Sequence, residues 1–233
     1  MKKTEHVHFV SARDARRDYC DEPDRDGYLS GLSEADLEAR KCPGDLRAYR
    51  RVASEAMRDA PPEARAALKA LANASDARFR ALGRRGDGQL SAACRVLAAM
   101  PWKFATFRGR AYEGGYPHTR DDVVFLPEHV TPDVELLMHE KVHVFQRWHP
   151  GACAEIYRAE GFARIGERDE FRARRDPNIR SNPDLDRYVY AKDGRPCYVR
   201  YADPAASRDM ARTETVGPTE HPNEWMAYRL SRL

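Results

Sequence analysis

The sequence has no long apolar run: the longest stretches, such as Val123 to Leu126, are four or five residues. A membrane-spanning helix needs about 20, so no membrane partner is expected. The opening residues, Met1-Lys2-Lys3-Thr4-Glu5-His6, lack the apolar core of a signal peptide. A cytoplasmic, reducing location is therefore expected. Cysteine is sparse and odd in number: Cys20, Cys42, Cys94, Cys153 and Cys197 are widely spaced, with no CxxC. That pattern excludes a disulfide framework and a thiolate zinc site. Lysine is scarce too, 7 against 33 arginines, and the net charge is only +3. This is far below the basic patch that nucleic-acid binding needs. The arginine excess reads as coding bias, and a nucleic-acid partner, which would have to use residues 40 to 110, is not expected.

What is present suffices for a core, since 42% of residues are apolar and 33% charged. A short strand is expected at 4 to 10, then charged, turn-rich chain to about 30. Ser33 followed by Asp36 suits a helix start. Helices are expected at about 46 to 58, 62 to 82 and 89 to 100. Strands follow at 102 to 107 and 121 to 126, around a turn at Gly114-Gly115-Tyr116-Pro117, with His118 on a loop. Thr131 and Pro132 read as the cap and first position of a helix running to Trp148. Another helix is expected within 151 to 180. A hairpin around Asp193-Gly194, at about 187 to 201, follows. Residues 202 to 218 read as irregular, and a closing helix starts after His221-Pro222. The fold class is α+β, with a helical portion at 1 to 100 and a second part at 101 to 233.

The chemistry is carried by His139-Glu140-Lys141-Val142-His143, which matches HExxH on an expected helix. Residues four apart share a helical face, so both imidazoles reach one metal ion. Glu140 stands beside the pair, where its carboxylate can take a proton from water. Zinc lowers the pKa of a coordinated water towards 7, which makes this proton available near neutral pH. A hydrolytic site needs a third protein ligand. His149 has metzincin spacing, but that pattern requires a turn-forming glycine at 146, where this chain has Gln146. Glu224 lies on the first turn of the closing helix, and Glu220 lies just before it.

The HEKVH helix resembles that of zincin-type metallopeptidases of gluzincin character. Its wider setting is Leu136-Leu137-Met138 running into HEKVHVFQR, then SNPDLD, then EHPNEWMAY. This is similar to a family of uncharacterised metallopeptidase-like proteins of large DNA viruses and algae. The resemblance covers residues 101 to 230 at most. It implies a zincin-like fold, one zinc ion, a peptide or protein substrate, and ligands His139, His143 and Glu224. Ala227 stands where such proteins place a small residue for close helix approach. It implies Glu140 as general base, and an edge strand, either 102 to 107 or 121 to 126, that pairs with extended substrate. Oxyanion stabilisation would fall to His221, Tyr228 or Tyr201. The 80 residues between His143 and Glu224 exceed the gap in many gluzincins. A zincin-fold regulatory or binding protein, with one specific partner or without proteolysis, is the alternative.

Overall fold

Strand β3 (Trp102–Phe107) alternates strictly. Trp102 and Phe104 enter one hydrophobic cluster, Ala105 and Phe107 another. Strand β5 (Val123–Pro127) does the same with Val124 and Leu126 against Val123 and Phe125. Period-two apolar residues on both faces mean a sheet buried on both sides, so helices must cover each. The structure is a computed structural model that describes residues 6–21, 26–42, 44–202 and 209–233. The first residues of the strand expected at 4 to 10 lie outside the described residues, as do 22–25 and 203–208 of the stretches expected to be irregular.

The chain opens with β1 (Val7–Phe9), α1 (Ala12–Tyr19), α2 (Glu34–Ala39), α3 (Leu46–Ala56) and β2 (Met57–Arg58). Next come α4 (Pro62–Gly83), α5 (Gln89–Leu97) and β3. Then follow β4 (His118–Arg120), β5, α6 (Val134–Trp148) and α7 (Pro150–Ala159). The remainder is β6 (Phe162–Glu167), α8 (Arg168–Arg174), β7 (Tyr188–Lys192), β8 (Arg195–Tyr201), β9 (Thr213–Val216) and α9 (Pro222–Ser231). The fold is mixed α+β with two small sheets. The first runs β1-β3-β5-β4, with β2 pairing the end of β3. β1, β3 and β5 are parallel, and β4 is antiparallel to β5. The second is an antiparallel meander, β6-β7-β8-β9.

Residues of α1 and α3 cover one face of the first sheet, and residues of α4 to α7 and α9 the other. The boundary expected at 100/101 therefore runs through one sheet and one core. β1 lies beside β3, and Lys141 of α6 is held by Asp76 of α4. Helix α1 was not expected. Its buried face is Ala12, Ala15 and Tyr19, and two alanines make a weak hydrophobic signal. Ser33 caps α2, as read, and the Asp36 side chain completes a capping box with it. Thr131 does not cap α6. Asp133 does, its side chain accepting the Leu136 N–H, because Asp133 is the last residue with extended backbone. His118 is no loop residue. It is buried on β4, paired with Phe125 and stacked on its ring at 5.2 Å. The Asp193-Gly194 hairpin forms, with φ of 52° and 76° at its two turn residues. Both φ are positive, as a type I′ turn demands. Its neighbours β6 and β9 extend it into a sheet where the sequence read as helical or irregular.

Among the described residues no helix is long and apolar enough to cross a membrane. All five cysteines are buried and unpaired.

The Asp76 carboxylate also accepts from the Trp102 indole and pairs with His6. Removing it leaves the Lys141 ammonium buried without a counter-charge. Asp76→Ala is expected to cost about 3–5 kcal/mol in urea unfolding. Adding Lys141→Met should recover much of that loss, and a single-variant cost below about 1 kcal/mol would refute the role assigned to this pair.

Candidate metal centre

Helix α6 presents His139 and His143 four residues apart, and α9 packs against it with Ala227 fully buried. This brings Glu224 to the two histidines. His139 Nε2 lies 3.1 Å from His143 Nε2 and 3.3 Å from Glu224 Oε2, and His143 Nε2 lies 3.7 Å from Glu224 Oε1. These three are the one group among the described residues with metal-binding geometry. Ligands about 2.0–2.1 Å from a tetrahedral zinc stand about 3.3–3.5 Å from one another. The three donor separations scatter around that value, so the residues fit a single ion of zinc size. His149 is not among them. It sits between α6 and α7 and stacks on Phe145 at 4.7 Å. Glu220 borders the same cleft but is not part of the cluster.

His143 is held from behind. His143 Nδ1 lies 2.8 Å from the Gln146 side-chain oxygen, so that nitrogen donates and Nε2 keeps its lone pair for a cation. Gln146 in turn donates to the Asn223 carbonyl. The Asn223 side chain accepts from Tyr157 and donates to the Asp184 carbonyl. One chain of hydrogen bonds thus joins α6, α7, α9 and the 181–186 segment behind the ligands. Gln146 is the residue that argued against a metzincin turn, and here it orients a ligand. His221 caps α9 through Nδ1, which accepts the Asn223 N–H.

The electrostatics suit a cation. Burial pushes His143 down to about 3, keeping it neutral. Burial also opposes charge on His139, but the hydrogen bond and charge of Glu224 outweigh it and raise its pKa. Burial works against charge on Glu224 too, yet His143 and the bond from His139 hold its carboxyl low. Glu140 is buried, and burial together with the Asp184 carboxylate pushes it up to about 8. Its Oε2 accepts from the Thr119 hydroxyl at 2.8 Å. A divalent cation on the adjoining ligands would supply positive charge that favours the ionised form.

The site opens into a cleft of about 530 Å³, bordered by His139, Glu140, Glu224, Tyr228 and the segment Asn182–Asp184. The Tyr228 ring stands edge-on to His139, 4.6 Å between centroids, and is partly exposed. Of the three oxyanion candidates it alone borders the cleft. His221 is buried as a helix cap, with Nε2 facing the Tyr188 carbonyl and Asp186. Tyr201 is buried and donates to Asp36.

Neither strand expected to receive substrate is an edge. β3 lies between β1 and β5, and β5 between β3 and β4. The edge beside the site is β4, and it is closed. The Thr119 N–H donates to Asp184 Oδ1 at 2.6 Å, and its carbonyl accepts from Arg147 at 2.9 Å. Arg147 also bonds the Pro183 carbonyl. Thr119, Gln146, Asp184 and Asn223 were given no part in the site from sequence. Only Gln146, three residues after His143, carried a readable signal, since i and i+3 are neighbours on a helix.

Comparison with protein-family models, with curated proteins and with solved structures finds no match to this chain. The reading of the site rests on its own geometry.

Two results are expected. Gln146→Ala should weaken zinc binding about 10- to 100-fold in chelator competition, with little change in fold; unchanged affinity would show that Gln146 does not orient His143. Protons compete with the cation for His139, whose pKa lies above its ordinary value of 6.5. Zinc affinity should therefore fall as pH drops from 8 to 6 and return on reversal, and a flat profile would exclude this competition.

Proposed function

We propose that this protein is a zinc-dependent metallopeptidase of zincin type, with gluzincin-like ligation by His139, His143 and Glu224. The observation that carries the reading is the convergence of those three side chains, with Glu140 buried beside them on the cleft wall. Zinc held there would act as a Lewis acid towards a peptide carbonyl and towards water.

The chain's own residues would do the rest. Glu140 takes the proton of the attacking water and returns it to the leaving amine. The Thr119 hydroxyl holds one Glu140 oxygen, which orients the carboxylate for that exchange. Tyr228, partly exposed on the cleft wall, carries the hydroxyl suited to donate to the oxygen that gains charge. A cytoplasmic location is part of this proposal and suits five unpaired cysteines.

The alternative is a metal-binding regulatory protein, or one that cleaves a single partner. One observation favours it: the strand edge beside the site is already bonded to Asp184 and Arg147, which bars an unstructured chain from pairing there. Casein hydrolysis separates the two readings, since a general peptidase degrades it and the alternative leaves it intact.

The deciding experiment is metal content by mass spectrometry with peptidase assays. The intact protein should bind about one zinc ion per chain. Glu224→Ala should lose it and His149→Ala should keep it. Glu140→Gln should keep zinc and lose turnover by several orders of magnitude. Full turnover in Glu140→Gln would remove Glu140 from its role, and no zinc uptake by the intact protein would remove the proposal.

A further inference from the structure

The cleft is bordered by seven carboxylates and one guanidinium, that of Arg180. Most of the acids already have partners. Glu113 is held by Arg40 and Tyr28, Glu135 by Arg232, and Asp133 by the first turn of α6. Glu140, Asp184 and Glu224 are engaged as described above. Arg180 differs. Its side chain makes no hydrogen bond or ion pair with any described residue, and its Nε is buried without an acceptor. Glu220 feels its charge without forming an ion pair with it. A buried donor left without an acceptor costs about 1–3 kcal/mol, so a ligand that supplies acceptors here gains what the fold leaves unsatisfied.

The wall that carries Arg180 is pinned on both sides. Ile179 bridges Arg200, and the Arg180 N–H donates to the Val199 carbonyl of β8. The Ser181 N–H donates to Asp36, and the Ser181 carbonyl accepts from Arg40. Beyond that, Asp184 is tied to Thr119. The guanidinium therefore starts from a fixed backbone, so a ligand has only the side chain left to order. A guanidinium presents a planar fork of N–H groups that matches a carboxylate with two parallel bonds.

We propose that Arg180 is a specificity-determining residue that binds a carboxylate of the peptide substrate in the metal cleft. This rests on the reading of the cleft as a peptidase site. The carboxylate has two sources, the peptide's C-terminus or an acidic side chain within it.

The test measures binding by fluorescence anisotropy of three labelled peptides of one backbone sequence: a free C-terminal acid, its amide, and an amide carrying one internal glutamate. The protein is the full chain with Glu140→Gln, zinc-loaded and metal-free, so that no peptide is consumed. One or both acidic peptides should bind about 10- to 100-fold more tightly than the neutral amide, the range of a charge-assisted pair. Whichever acidic peptide shows the gain identifies the source. Arg180→Met should abolish the gain without weakening binding of the neutral amide, and Arg180→Lys should restore part of it. Equal binding of all three peptides, no binding of any, or a gain that survives Arg180→Met would each overturn the proposal. Zinc content of the same samples keeps the two readings apart. Zinc uptake without peptide discrimination overturns only the role of Arg180, whereas discrimination by a chain that takes up no zinc overturns only the metallopeptidase.

Discussion

Helix α6 is buried along most of its length yet carries Glu140, Lys141, His143 and Gln146 in its central turns. Polar groups removed from water must be paired or they cost more than the surrounding apolar contacts return. Much of the architecture answers that demand. Lys141 meets Asp76 of α4, which ties an N-terminal helix to one that lies far along the chain. Glu140 meets Thr119 of β4, and His143 meets Gln146, which is tied in turn to α9. Three separate elements are therefore locked to one helix through its polar residues, while Val142, Leu137 and Met138 fill the core between them.

The same economy explains the strand edge. A free edge beside a cleft invites pairing with other chains. Here Asp184 and Arg147 occupy the outward N–H and carbonyl of Thr119. The segment that supplies Asp184 also carries Arg180 into the cleft and is fastened to α2 through Asp36 and its C-cap Arg40. The long stretch between the histidines and Glu224 thus forms one wall of the site and shields its strand, and its second sheet anchors that wall through Ile179 and Arg180.

Much of this was legible beforehand where the signal is local. The alternation in β3 and β5, the cap at Ser33, the Asp193-Gly194 hairpin and the start of α9 at Pro222 depend on neighbouring residues and short spacings. Thr131 was misread because two capping-type residues, Thr131 and Asp133, stand on either side of Pro132 within one turn. Helix α1 escaped notice because alanine buries well in a tight site but contributes little to a hydrophobic pattern. β6 and β9 escaped because only one of their residues, Phe162, is buried, and their pairing partner is the hairpin itself.

By itself the sequence determined that His139 and His143 share one helical face with Glu140 beside them, since a helix sets the i, i+4 geometry wherever it forms. It also determined that an acidic residue opens the closing helix. Tertiary structure alone decided that Glu224, and neither His149 nor Glu220, meets the histidines, because that choice depends on how α9 crosses α6. It decided as well that His221 and Tyr201 face away from the cleft while Tyr228 borders it, and that Thr119, Asp184 and Arg180 belong to the site at all. Thr119 lies 21 positions from Glu140 and 65 from Asp184, and Glu224 lies 81 from His143. No spacing rule reaches so far, and only packing of the intervening elements brings such groups within bonding distance.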